Sequence, residues 1–220
     1  TNAAFIMTIT QTVPAIGMVI QDSEFSRVPV GAVTIKIYGQ EKVLIEDTVH
    51  RNADVGLELK NDIRRYTVRA NTFYAFTKTA LGGNMHTATT NGEICFNYIT
   101  GSAVTLDLNQ DGMAGLTYVY RNTFVGRVKV RNTDSADGPF RFNNNVIVNS
   151  DPGSHVYFEN VSDASRIVLN NNLVGNPSDN IVDSGGRLTG AYTSYVGLQG
   201  FQTVLTAGFG PQATVNVTIR

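Results

Sequence analysis

Val119-Tyr120-Arg121-Asn122-Thr123-Phe124 carries one motif: an apolar residue, two variable ones, Asn, one variable, an apolar residue. It recurs as Val68-Arg69-Ala70-Asn71-Thr72-Phe73 and Ile94-Cys95-Phe96-Asn97-Tyr98-Ile99. Two more copies are Phe142-Asn143-Asn144-Asn145-Val146-Ile147 and Leu169-Asn170-Asn171-Asn172-Leu173-Val174. Leu44-Ile45-Glu46-Asp47-Thr48-Val49 reads as a further copy with Asp for Asn. Val19-Ile20-Gln21-Asp22 reads as a degenerate one, with Glu24 at the second apolar place. The central residues stand at 47, 71, 97, 122, 145 and 172, giving steps of 24, 26, 25, 23 and 27. A period near 25 that slips by a residue or two is the behaviour of a solenoid, with the insertions in loops between strands.

A second short run follows in each period: Val33–Ile37, Val55–Leu59, Val104–Leu108, Val128–Val130 and His155–Phe158. Its alternation has period two, so one face is buried and the other is wet. Two or three short strands per 25 residues fit a parallel coil. Each turn then adds a rung about 4.8 Å from the last. The columns Leu44, Val68, Ile94, Val119, Phe142, Leu169 and Val49, Phe73, Ile99, Phe124, Ile147, Val174 are expected to stack inside. The Asn between them is expected at a bend in the left-handed region, which Asn tolerates best after Gly, with its amide bonded up and down the column.

Composition agrees. The chain has 220 residues, enough for one core without staples. It carries 21 Asn, 21 Gly, no Trp and only 16% charged residues, a turn-rich, all-β balance. A single cysteine excludes a disulfide framework and a cysteine-based zinc site. A net charge of -1 argues against a nucleic-acid partner, and no 18-residue apolar run suggests membrane insertion.

These repeats resemble the right-handed parallel β-helix of the pectate-lyase-like superfamily, in which an Asn ladder lines a tight turn. The resemblance covers residues 17–188 and implies a single all-β domain. Residues 1–16 read as an incomplete N-terminal edge and 189–220 as an irregular cover with a last strand, Thr214–Ile219. No N-terminal cap is evident, and an uncapped first coil is an open edge. This implies either a missing N-terminal segment or a partner copy.

The resemblance also implies an extracellular or cell-surface setting and a polysaccharide partner lying over the second short strands. Their outward positions are expected to be Thr34, Lys36, Tyr38, Glu58, Lys60, Asp107, Asn109, Lys129, Arg131, Tyr157, Glu159 and Asp183. Acids, bases and tyrosines of this kind suit a glycan, with Arg and Lys pairing uronate carboxylates. A β-eliminating lyase needs a neutralised carboxylate and a base. Lys129 and Arg131 are the candidate base and clamp. Asp107 and Glu159 are oxygen donors suited to Ca²⁺, and Tyr157, Asn109 and Lys60 are candidate sugar contacts. Hydrolysis ranks lower, because Asp107 and Glu159 stand two coils apart, about 10 Å. The same charges also read as a surface column worth about 1 kcal/mol or less per pair.

The histidines do not form a set: His50 is expected on a bend, His86 in a loop, His155 at a strand start. Cys95 is expected to face outward. A reading from another class competes with the glycan one. It is a structural surface protein, a fibre, spike or adhesin segment, that assembles through its terminal coils.

Overall fold

Short runs rich in Val, Ile, Phe and Tyr favour extended backbone, and an apolar face on each must be covered by its neighbours. The computed structural model describes residues 17–26, 33–60, 63–84, 91–101, 104–109, 115–131 and 138–148. It also describes the backbone of 156–159, 167–170, 172–174, 182–183, 192–195 and 202–205. The expectations for residues 1–16, His86, His155 and Thr214–Ile219 lie outside the described residues, as do those for the side chains of Tyr157, Glu159 and Asp183.

The first turn holds β1 (Met18–Gln21), β2 (Glu24–Phe25) and β3 (Val33–Tyr38). The next two hold β4 (Lys42–Glu46) and β5 (Val49–Lys60), then β6 (Arg65–Arg69) and β7 (Thr72–Asn84). Then come β8 (Asn91–Cys95), β9 (Tyr98–Ile99) and β10 (Val104–Asn109), followed by β11 (Leu116–Tyr120), β12 (Thr123–Val125) and β13 (Arg127–Arg131). The last turns hold β14 (Phe140–Asn143), β15 (Val146–Val148) and β16 (Val156–Glu159), then β17 (Ile167–Asn170), β18 (Leu173–Val174) and β19 (Val182–Asp183). A hairpin of β20 (Tyr192–Tyr195) and β21 (Gln202–Leu205) is antiparallel.

Every first strand pairs in parallel with the first strand of the next turn, giving a seven-stranded sheet. The second and third strands form two further rows, joined into one sheet because β5 and β7 run unbroken around the corner between them. The chain is an all-β parallel solenoid, with no helix among the described residues.

The core is a set of columns one rung apart. Val68, Ile94, Val119, Phe142 and Leu169 pair in register, as expected, and Val68, Ile94, Val119 and Phe142 are buried. A second column runs Val43, Tyr66, Gly92, Thr117, Phe140, Ile167. Gly92 is required there by packing: a Cβ on it would lie 2.1 Å from the Tyr66 ring.

The Asn ladder forms at the corner after each first strand. Each rung donates its backbone N–H and its side-chain amide to Oδ1 of the next, through Asn71, Asn97, Asn122, Asn145 and Asn172, at 2.9–3.0 Å. The amide's other hydrogen reaches a carbonyl one rung back, as Asn122 does at Ile94, 2.9 Å. Every ladder Asn is thereby buried and bonded, which removes the cost of an unpaired amide in the core.

Two expectations are corrected here. The ladder Asn is not the left-handed residue. The residue before it is: Asp22, Asp47, Ala70, Phe96, Arg121 and Asn144 have φ of 48–58°. The corner needs one left-handed residue, and the side chain that bonds across rungs must point inward from the next position.

The second correction is a one-residue slip in β4. Ile45, not Leu44, pairs with Val68, and His50, not Val49, pairs with Phe73. Thr48 therefore takes the Asn place, and both its N–H and its hydroxyl donate to Asn71 Oδ1 at 2.9 and 2.6 Å. His50 is not on a bend. It is a core residue, stacked between Phe25 and Phe73 at 5.1 and 4.5 Å. Its Nε2 meets Thr48 Oγ1 at 2.8 Å and its Nδ1 meets Thr34 Oγ1 at 2.9 Å. Burial pushes its pKa from 6.5 down to about 3, so the ring is neutral. One neutral ring supplies one donor and one acceptor. Since Thr48 gives its proton to Asn71, Nε2–H donates to Thr48. Nδ1 is then the acceptor, and the single Thr34 hydroxyl proton is shared between it and the Gly56 carbonyl.

Candidate functional site

Alternate residues of the third-strand row fall on one face, and backbone pairing aligns them into two files. One file runs Lys36, Glu58, Gly82, Asp107, Lys129, Tyr157, Asp183. The other runs Tyr38, Lys60, Asn84, Asn109, Arg131, Glu159. Lys60, Asp107, Asn109, Lys129 and Arg131 thus share one face, and the backbones of Tyr157 and Glu159 stand one rung beyond Lys129 and Arg131. Thr34 does not belong to this face. Thr34 is buried, and its hydroxyl meets His50.

The charges on this face pair across rungs and, for Lys60, along the strand. Glu58 takes Lys36 at 3.0 Å and Lys60 at 2.8 Å, and Asp107 takes Arg131 Nε at 2.8 Å. Hydrogen bonding to Tyr38, then to Glu58, holds the Lys36 ammonium above the usual lysine range. Between these groups lies Gly82, one rung from Glu58 on one side and from Asp107 on the other. It opens a pit of about 240 Å³ lined by Glu58, Lys60, Thr79, Gly83, Asp107, Asn109 and Arg131. Neither packing nor backbone demands a glycine there. A Cβ would meet nothing closer than 3.8 Å, and its φ is ordinary.

Glu58, Thr79, Asp107 and Asn109 are the side-chain oxygen donors lining the pit. No group of three His, Cys, Asp or Glu suited to a metal occurs among the described residues. Cys95 takes the outward position expected of it on β8, but is buried, and burial pushes its thiol up, away from a nucleophile.

A larger groove lies on a different surface, over the seven-stranded sheet. It measures about 700 Å³ and includes Val19, Lys42, Leu44, Arg65, Thr67 and Tyr118. Sequence reasoning missed it because Leu44 had been assigned to the interior. With Ile45 inside, Leu44 becomes an outward apolar residue beside exposed Val19.

No family model matches this chain, and neither a curated protein nor a solved structure is similar to it. Among the described residues no helix is long and apolar enough to cross a membrane.

Proposed function

We propose that this chain is a polysaccharide-engaging β-helix of the pectate-lyase-like kind, acting outside the cell, with a sugar ring seated over Gly82. The observation that supports it is the pit itself. A side chain is missing where neither φ nor packing asks for its absence, between Glu58 and Lys60 on one side and Asp107, Asn109 and Arg131 on the other. Two rung steps, about 10 Å, separate Glu58 from Asp107 along the file, room for a sugar ring and its hydroxyls. Carboxylates, an amide and cations are the donors and acceptors that fix hydroxyls in a small site.

Elimination would draw on Lys129 as base and Arg131 as carboxylate clamp. Arg131 is already held by Asp107, so a uronate carboxylate has to share or displace that partner. Ca²⁺ would find Asp107 and Asn109 here, two of the six to eight oxygens it takes.

The test is a titration of neutral and uronate oligosaccharides against the parent chain and Gly82→Gln, which fills the pit. Binding lost in Gly82→Gln with melting unchanged supports the site, and equal binding overturns it. The same mixtures, read for an ultraviolet-absorbing unsaturated product, separate a lyase from a binding module.

The second reading, assembly through terminal coils, draws on the first described rung. Ile20, Phe25 and Ile35, in that rung, line an opening of about 330 Å³. Filaments or end-to-end dimers seen by electron microscopy at native salt would favour it.

A further inference from the structure

The groove over the seven-stranded sheet differs chemically from the pit, and it rests on separate observations. Its floor is the outward file Val19, Leu44, Thr67, in register on β1, β4 and β6. Val19 is 55% exposed, among the most exposed large apolar side chains of the described residues. Exposed apolar side chains in a groove with a charged rim mark a binding surface.

The rim is cationic in effect though not in formal count. Lys42 and Arg65 stand two positions before Leu44 and Thr67, and Arg69 two positions after Thr67. Arg65 pairs with Glu41 and Arg69 with Glu46, yet the arginine side chains are 54% and 51% exposed and the glutamates 24% and 9%. The acids lie beneath and the guanidiniums reach outward. Each guanidinium has five N–H donors and spends one or two on its glutamate. Glu93 closes the groove beyond Thr67, its Oε1 accepting from the Tyr120 hydroxyl.

We propose that this groove binds a free single-chain carboxylate amphiphile, its methylene chain along Val19, Leu44 and Thr67 and its carboxylate between Arg65 and Arg69. A sugar fits this floor poorly: a hydroxyl over Val19 or Leu44 has no partner, and an unpaired buried hydroxyl is costly. A methylene chain has no such demand. An arginine–carboxylate contact supplies the head. The floor spans two rung steps, about 10 Å, so a chain of medium length fills it.

The test is calorimetric titration of the full chain with octanoate, decanoate, decan-1-ol and a uronate oligosaccharide, each as monomer. Decanoate is expected to bind saturably, one per chain. Octanoate should bind more weakly by about fourfold per methylene lost within the floor, and decan-1-ol at least tenfold more weakly than decanoate. Leu44→Asp, an outward change, should cost at least tenfold, and Lys42→Glu, which leaves the floor intact, should weaken the acid and not the alcohol. Lys78→Ala, on the other sheet and outside both sites, should leave decanoate binding unchanged. The proposal falls if decanoate shows no saturable binding, if the alcohol binds as well as the acid, or if both groove variants bind as the parent does. It falls equally if the uronate competes for this groove, or if the chain binds only anionic vesicles and not monomeric decanoate.

Discussion

Two files of polar side chains run along this solenoid, one buried and one wet. At the ladder corner Asn71, Asn97, Asn122, Asn145 and Asn172 repeat one residue type, and each bonds the next. On the third-strand face Lys36, Glu58, Gly82, Asp107 and Lys129 repeat nothing but the spacing. Both are built by the same rung geometry. A buried amide must be satisfied by its neighbours, so the rung above dictates the rung below. An exposed residue can be satisfied by water, so each rung is free to carry a different group. The buried file therefore serves stability and the exposed one is open to selection for a ligand.

The sharpest way to break that contrast is a charge inside. Val119→Asp puts an unpaired carboxylate in a fully buried column, and should cost about 4 kcal/mol or more or prevent folding. Chemical denaturation with circular dichroism reads it. The same Asp at Lys129 on the wet face, where it stands opposite Asp107, should cost only about 1 kcal/mol.

Acid probes the buried side next. His50 has a folded pKa of about 3 against 6.5 when free, so below pH 6.5 the unfolded chain binds the extra proton. This contribution to stability is whole above about pH 6.5 and is lost as pH falls toward 3, by up to about 1.4 kcal/mol per unit. His50→Phe would continue the stack between Phe25 and Phe73, while Thr48 keeps Asn71 and Thr34 keeps the Gly56 carbonyl as acceptors. Stability measured from pH 7 to 4 should fall less steeply in this variant than in the parent. Parallel curves would show that His50 is not buried neutral.

Asn122→Ala comes third. It strands one amide hydrogen of Asn97 and its backbone N–H, and leaves Oδ1 of Asn145 with only the backbone N–H at 122 as donor. A loss of about 2–3 kcal/mol is expected, whereas Arg121→Gly, at the left-handed residue beside it, should be neutral or stabilising. A reversed pair of results would return the left-handed role to Asn122.

The smallest effect belongs to the wet file. Asp107→Ala breaks a half-exposed pair with Arg131, and should shift stability by about 1 kcal/mol or less. A larger loss would mean that this face is part of the scaffold rather than a surface free to bind.

The sequence carried the repeat, because apolar columns and a bonded Asn must recur wherever rungs stack. From Asn71 onward its columns coincide with those observed. It misplaced β4 because Thr48 and His50 stand where the motif has Asn and an apolar residue, while Asp47 imitates the Asn one place early. Only pairing with the rungs on either side resolves that, since a slip by one residue turns every side chain of a strand to the opposite face. The face carrying Lys60, Asp107, Asn109, Lys129 and Arg131 was legible from period-two alternation. The pit at Gly82 was not, because a glycine in sequence does not tell an enforced one, like Gly92, from one with room for a side chain.

What the sequence determined alone is the parallel solenoid, its period and the chemistry of its inner columns, all set by local alternation repeated at fixed spacing. What the tertiary structure decided is which groups from distant turns become neighbours: Glu58 with Lys36, Asp107 with Arg131, Val19 with Leu44. Those neighbours are a whole turn apart in the chain. Loop lengths that vary from turn to turn hide their register until the backbone hydrogen bonds between rungs fix it.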